Sequence, residues 1–246
     1  IRRGVEKYQL KQGYASSHEY SIEEVENNAN VLDVGCGESL VGMELAKKGC
    51  HVEAIDCEDS EGRDKIIHFT KMDLNDPGAP IPVDRFDYIL LLDVLEHLEE
   101  PEEFVYKIRK LSKGKFPKVI VSVPNIGFFI MRIQLLLGRF NYGTRGILDL
   151  GHRRLFTFRS IREIFQQAGY KILKMRGIPA PYPVAIADNF FSRLLLLVNQ
   201  GLIKVFPRLF SYQIFLVTLP RPTLHEILQE TIDHSDKCID EITRIG

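Results

Sequence analysis

Two glycines, Gly35 and Gly37, follow the apolar run Val31-Leu32-Asp33-Val34 and precede a stretch with helical spacing from Leu40 to Lys48. A turn of this kind lets backbone approach a ligand closely, and the helix start offers N–H groups that the helix itself cannot use. Asp56 ends the next apolar segment, 19 residues beyond Gly37. An acid there can accept hydrogen bonds from both hydroxyls of a ribose. Together these residues point to an adenosine-type cofactor. A dinucleotide fits poorly. The third glycine of a G-x-G-x-x-G fingerprint is replaced by Leu40, and Glu38 would set a negative charge beside a diphosphate. S-adenosyl-L-methionine (SAM) carries a sulfonium and an ammonium instead, and acidic neighbours suit it.

A second polar group lies between residues 126 and 154. His152 is the leading candidate for a general base, with Asp149 three residues earlier to orient it. Arg153 and Arg154 are candidates for binding an anionic part of a substrate, or a solvated face, and Tyr142 joins the substrate group. His97 suits a loop brace better than a catalyst, and His152 has that bland role as its own alternative. His18 and Tyr14 are candidates to close over the cofactor from the N-terminal side. No metal site is expected. Cys36, Cys50, Cys57 and Cys238 form no C-x-x-C pair, no histidine cluster accompanies them, and reduced thiols are the economical reading.

The elements that must position these groups alternate in type. Apolar strands are expected at residues 31–34, 51–56, 66–69, 86–92, 118–123, 170–175 and 212–219. Helices are expected at 21–27, with Ser21 and Glu24 as a capping box, at 40–48 with Gly49 as C-cap, at 101–111 after Pro101, and at 158–168 before Gly169. A polar helix is expected from Leu224 to Ile245. Such alternation predicts an α/β fold with a doubly wound, mostly parallel seven-stranded sheet. Residues 126–154 and 177–210 interrupt the pattern as insertions that would cap a substrate. The whole of residues 1–246 reads as one domain, with residues 1–30 an N-terminal helical segment and 223–246 a C-terminal helix.

Several segments carry a resemblance. Val31-Leu32-Asp33-Val34-Gly35-Cys36-Gly37, Asp56, Lys71-Met72-Asp73-Leu74, Phe86-Asp87-Tyr88 through Asp93-Val94-Leu95-Glu96-His97-Leu98, and Val121-Ser122-Val123-Pro124-Asn125 occur in order. As a set they resemble class I SAM-dependent methyltransferases over residues 14–175. The stretches Gly138–Tyr142, Gly146–Asp149 and His152–Thr157 resemble a bacterial and archaeal subgroup of the type 11 and type 23 methyltransferases, often linked with glycan or lipid biosynthesis. The resemblance implies that Asp33, Gly35, Cys36, Gly37, Asp56, Cys57, Asp73, Leu74 and Asp93 hold the cofactor. In it Asp56 binds the ribose, Asp73 the adenine amino group, and Asp93 lies near the methionine end. The product would be S-adenosyl-L-homocysteine (SAH). O-methylation of a glycan, a lipid-linked molecule or another small metabolite is the implied reaction. An NAD-dependent oxidoreductase and a non-catalytic partner subunit of the same fold are the alternatives. The first leaves Asp73 and the Asp93–His97 run unexplained, and the second would have lost the pocket acids.

Composition bounds the rest. Hydrophobic residues make up 45% and charged residues 26%, which supports an ordinary core and excludes global disorder. A net charge of -1 leaves no global basic field for a nucleic acid. Ile1-Arg2-Arg3-Gly4 lacks the apolar core of a signal peptide, so a cytoplasmic protein is expected. The insertions are rich in Phe and Leu, punctuated by Arg132, Arg139, Arg193 and Lys204. Two uses fit: a membrane-surface lid for a lipid-linked substrate, or an extra core layer or homodimer interface. The second is favoured, because a helix apolar nearly all round is usually buried.

Overall fold

The structure, a computed structural model, describes residues 15–58, 68–112, 114–182, 189–222 and Leu228. Its centre is a seven-stranded sheet in the order β3-β2-β1-β4-β5-β7-β6. The strands are β1 (Asn30–Val34), β2 (His51–Asp56), β3 (His68–Lys71), β4 (Tyr88–Leu92), β5 (Lys118–Pro124), β6 (Tyr170–Ile178) and β7 (Gln213–Pro220). β7 alone runs against its neighbours, pairing antiparallel with both β5 and β6. The first five strands pair in parallel, so the order reverses between β1 and β4. A crevice for a ligand opens at such a reversal, beyond the carboxyl ends of the strands.

Strand alternation builds two apolar layers. Leu32, Val34, Ile89, Leu91, Val119, Val121 and Val123 face one way and meet Phe104, Val105, Ile108, Phe158, Ile161 and Phe165. These last six belong to α3 (Pro101–Leu111) and α5 (Phe158–Gln167). Val31, Tyr88, Leu90 and Ile120 face the other way and meet Val41 and Leu45 of α2 (Leu40–Lys47). The parallel strands are buried on both faces, which explains their nearly continuous apolar runs. Truncating Leu90, which is fully buried, to Ala should cost roughly 2–5 kcal/mol.

Three local expectations change. α1 spans Ser17–Glu24 and is capped by Ser16, whose hydroxyl accepts from the Glu19 N–H at 3.1 Å. Ser21 is therefore an interior residue, donating to the Ser17 carbonyl, and is not a cap. β6 runs three residues further than expected, to Ile178, because Gly177 and Ile178 pair with Ile214 and Gln213. Phe128, Ile147 and Leu148 of the first insertion are buried, but the insertions' helices add little core. No residue of α4 (Phe129–Leu136) is buried, and α6 (Phe190–Val205) buries Ser192, Leu196 and Asn199 while Phe190, Phe191, Leu197 and Val205 stay exposed. Asn199 anchors α6 through polar bonds, donating to the Phe210 carbonyl and accepting from the Ala180 N–H, so the apolar face turns outward. A short helix, α7 (Pro207–Phe210), follows. The expected C-terminal helix lies outside the described residues apart from Leu228.

Candidate functional site

The glycine turn is held by backbone geometry. Gly35, Gly37 and Ser39 all have positive φ, at 68°, 53° and 52°. The N–H groups of Gly35 and Cys36 both donate to the Ile55 carbonyl, which locks the turn onto the end of β2. A Cβ on Gly35 would lie 2.5 Å from a Val94 methyl, whereas one on Gly37 would meet nothing within 4 Å. Gly35 thus packs the turn against the loop after β4, and Gly37 faces open space. Ser39 has no capping bond to α2. Its hydroxyl donates instead to Asp33 at 3.0 Å, tying the far side of the turn to β1.

Asp56 joins this turn to the next one. Its carboxylate accepts the Gly37 N–H at 2.8 Å and the Glu58 N–H at 3.0 Å. Cys57 follows directly, and partial burial with the Asp56 charge pushes its thiol up, keeping it protonated. Asp73 is exposed just past β3 and accepts the Asn75 N–H at 2.9 Å, and the Met72 N–H reaches back to the Asp56 carbonyl. Leu74 is half-buried there, packed against the core. Asp93, at the end of β4, takes a left-handed φ of 56°. Ser122 donates to its Oδ1 at 2.8 Å, and the Gln213 amide reaches both its oxygens at 2.9 Å. Gly37 thus faces open space beside the Asp56 carboxylate, while Asp73 and Asp93 stand at the ends of β3 and β4.

The second group is stitched together by main chain. The segment after β5 leaves at Asn125 and returns at Phe156, where the two form a parallel bridge. On its return the N–H groups of Arg153 and Arg154 both donate to the Glu96 carbonyl, at 2.7 and 3.0 Å. This places His152 against His97, with ring centroids 4.8 Å apart in an edge-to-face arrangement. His97 Nδ1 lies 3.0 Å from the Gly151 carbonyl, and His152 Nδ1 lies 2.9 Å from the Ile147 carbonyl. A carbonyl only accepts, so each Nδ1 carries a proton, and Nε2 is the ring nitrogen left open.

Asp149 does not orient the His152 ring. Its carboxylate accepts the Gly151 N–H at 2.7 Å, and the ring is oriented by the Ile147 carbonyl. The Arg153 guanidinium pairs with Glu99, just before α3, and that of Arg154 with Glu102 in its first turn at 2.8 Å. These pairs hold the return of the insertion to the body. Tyr142 is exposed and stacks edge-on with Phe140. His18 is buried in α1, and Tyr14 lies outside the described residues. A small pocket beneath α4, lined by Ile126, Met131, Leu135, Phe140 and Leu148 among others, shares no residue with either group.

Three participants were not singled out from sequence. Ser122 and Gln213 hold Asp93, but only strand pairing across β5 and β7 brings them there. Glu96 is fully buried beside the two histidines. Its position next to His97 inside an apolar stretch was the available signal, since a buried acid needs a partner.

Comparison with known proteins gives a consistent picture. Residues 7–175 match the family model described as a methyltransferase domain. A ubiquinone biosynthesis O-methyltransferase from Rickettsia typhi is 30% identical over 117 residues, covering 43% of this chain and 48% of that protein. The match therefore spans about half the length of such relatives. Two solved structures share the fold. A 1,6-didemethyltoxoflavin-N1-methyltransferase from Burkholderia thailandensis, bound to SAH, has a TM-score of 0.55 and 14% identity, covering 84% of this chain and 77% of its own. The magnesium protoporphyrin IX methyltransferase from Synechocystis PCC 6803, also bound to SAH, has a TM-score of 0.54 and 16% identity, covering 83% and 84%.

Proposed function

The chain belongs to the methyltransferase-domain family, and from that premise we propose that it transfers the methyl group of SAM to a hydroxyl oxygen of a lipid-linked or other small acceptor. The observation that carries the reading is the 2.8 Å bond between the Gly37 N–H and the Asp56 carboxylate, made at a glycine that faces open space. It sets a close-approach backbone beside an acid placed to receive a ribose. Asp56 would hold the ribose, Asp73 the adenine, and Asp93 the ammonium end, each from a loop at the carboxyl edge of the sheet.

When bound, SAM supplies a methyl on a sulfonium, whose carbon–sulfur pair returns to sulfur as the new carbon–oxygen bond forms. The protein's task is to position the acceptor oxygen in line with that bond and to receive its proton. The Nε2 lone pairs of His97 and His152 would be the bases offered just past the end of β4. Ile147 and Gly151 fix their tautomers, as a base needs.

The acceptor class is supported by the insertions. The exposed apolar side chains of α4 and α6 alternate with exposed Arg132, Arg139, Arg193 and Lys204, a pattern suited to a headgroup-level surface that presents a lipid-linked substrate. No helix among the described residues is long and apolar enough to cross a membrane. The Rickettsia typhi relative is named for an O-methyltransferase, which supports oxygen as the acceptor atom. An assay with methyl-labelled SAM and paired acceptors, lipid-linked and lipid-free, tests the proposal. Label should pass to hydroxyl oxygen, faster with the lipid-linked member of each pair. SAH binding with no transfer to any acceptor would favour the non-catalytic subunit instead.

A further inference from the structure

We infer that Glu96, His97 and His152 form a binding site for a divalent transition-metal ion. One carboxylate oxygen and one nitrogen from each ring lie within 4.8 Å of one another. Ligand atoms about 2.1 Å from one metal stand roughly 3.0–3.4 Å apart, so the three side chains need to close by about 1.5 Å.

Three features separate this cluster from a chance meeting of polar groups. The first is the tautomer. With Nδ1–H given to a backbone carbonyl, each imidazole offers Nε2 as its ligand atom, and such carbonyl bonds orient and strengthen metal-binding histidines. The second is scaffolding. Glu96 and His97 lie on one short turn after β4, and the Glu96 carbonyl receives the two N–H groups that follow His152. The distance between the two halves is therefore set by main chain rather than by flexible side chains. The third is burial. Glu96 is 0% exposed, so its carboxylate is offered to the two rings inside the fold and not to solvent.

Two nitrogens and one carboxylate oxygen suit manganese, cobalt or zinc better than magnesium or calcium. Three protein ligands leave coordination positions open. What an ion does there rests on the methyl-transfer reading. With an ion bound, His97 and His152 would serve as its ligands in place of direct bases, and an acceptor hydroxyl on an open position would ionise more easily, as metal-bound water does, its proton leaving to solvent.

The test uses the full chain, stripped with a chelator and titrated with Co²⁺ under visible absorbance and calorimetry. The wild type should take up one equivalent and develop d–d bands, and Zn²⁺ should displace it. His97→Ala and His152→Ala should each weaken Co²⁺ binding by more than the roughly 10–100-fold that losing a supporting bond costs. Glu96→Gln should do the same, with a thermal melt to show that it folds. His51→Ala, exposed at the opposite edge of the sheet, should bind as the wild type does. No Co²⁺ uptake by the wild type, or full affinity in both histidine variants, overturns the inference. SAH is titrated into the metal-free chain in the same experiment. Loss of SAH binding counts against the methyl-transfer reading, and loss of Co²⁺ binding alone counts against this one.

Discussion

The glycine-turn side and the histidine side of the site are built by different means. On the glycine side, residues close in sequence adopt backbone conformations that few residue types tolerate, and Gly35, Gly37 and Ser39 carry positive φ within five positions. On the histidine side the left-handed residues, Gly138 and Gly146, lie out in the insertion and not at the histidines themselves. His97 and His152 meet because main-chain bonds from Arg153, Arg154 and Ile126 pull a long insertion back onto the sheet. In the proposed function the first construction would hold a cofactor common to many enzymes, for which a short motif suffices, and the second would face the acceptor, through contacts far apart in the chain. A shared cofactor with varied acceptors is what that division allows.

Substitutions that act on one side alone can break this contrast. The largest effect is expected at His152. His152→Ala should lower turnover by roughly 10²–10⁴, the span for a lost acid–base group, while SAH affinity stays unchanged. Parallel loss of SAH binding would merge the two sides into one. Next comes Gly35→Ala. Its Cβ would meet Val94 at 2.5 Å, in a left-handed conformation. Overpacking of roughly 1–3 kcal/mol and a conformational cost of about 1–2 kcal/mol should appear together as a lowered melting temperature. Gly37→Ala sharpens the comparison, because its Cβ has free space. Only the conformational cost of about 1–2 kcal/mol should appear in melting, with SAH affinity falling further than stability does. Equal melting losses for the two variants would contradict their different surroundings.

The smallest effect lies at the opposite end of the sheet, away from both sides. Asp87 accepts the backbone N–H and side-chain amide of Asn30, at 2.9 and 3.0 Å, and these bonds with nearby Lys115 hold its carboxyl below the usual range. A depressed carboxylate stabilises the fold above its ordinary pKa, and that contribution is lost as pH falls through the lower folded value. Asp87→Asn should therefore flatten the acid limb of a stability–pH curve slightly, with no change at the site. A steeper acid limb in the variant would reverse the assignment.

Sequence made the glycine side legible because its signal is local. Val31 to Gly37 and Asp56 fall within one βαβ unit, and the apolar runs of β1, β4 and β5 mark strands buried on both faces. The left-handed Asp93 was not legible, because Ser122 and Gln213 hold it across strands that pair only in the fold. Ser21 misled because Ser16 competes for the same helix start and wins, with an extended backbone of its own. The apolar run in α6 suggested burial, but Asn199 fixes the helix by polar bonds and leaves Phe190 and Phe191 outside. Pairing His152 with Asp149 was reasonable at three residues' spacing. The Ile147 carbonyl, five residues back, reaches the ring instead.

Calorimetric titration of SAH into the wild type and Asp56→Ala, with NAD⁺ as the competing ligand, tests the central claim most directly. The account predicts one SAH per chain, no heat from NAD⁺, and a loss of roughly 1.5–3 kcal/mol in Asp56→Ala, the range for hydrogen bonds to a charged group. NAD⁺ binding in place of SAH, or equal SAH affinity in wild type and variant, would contradict it.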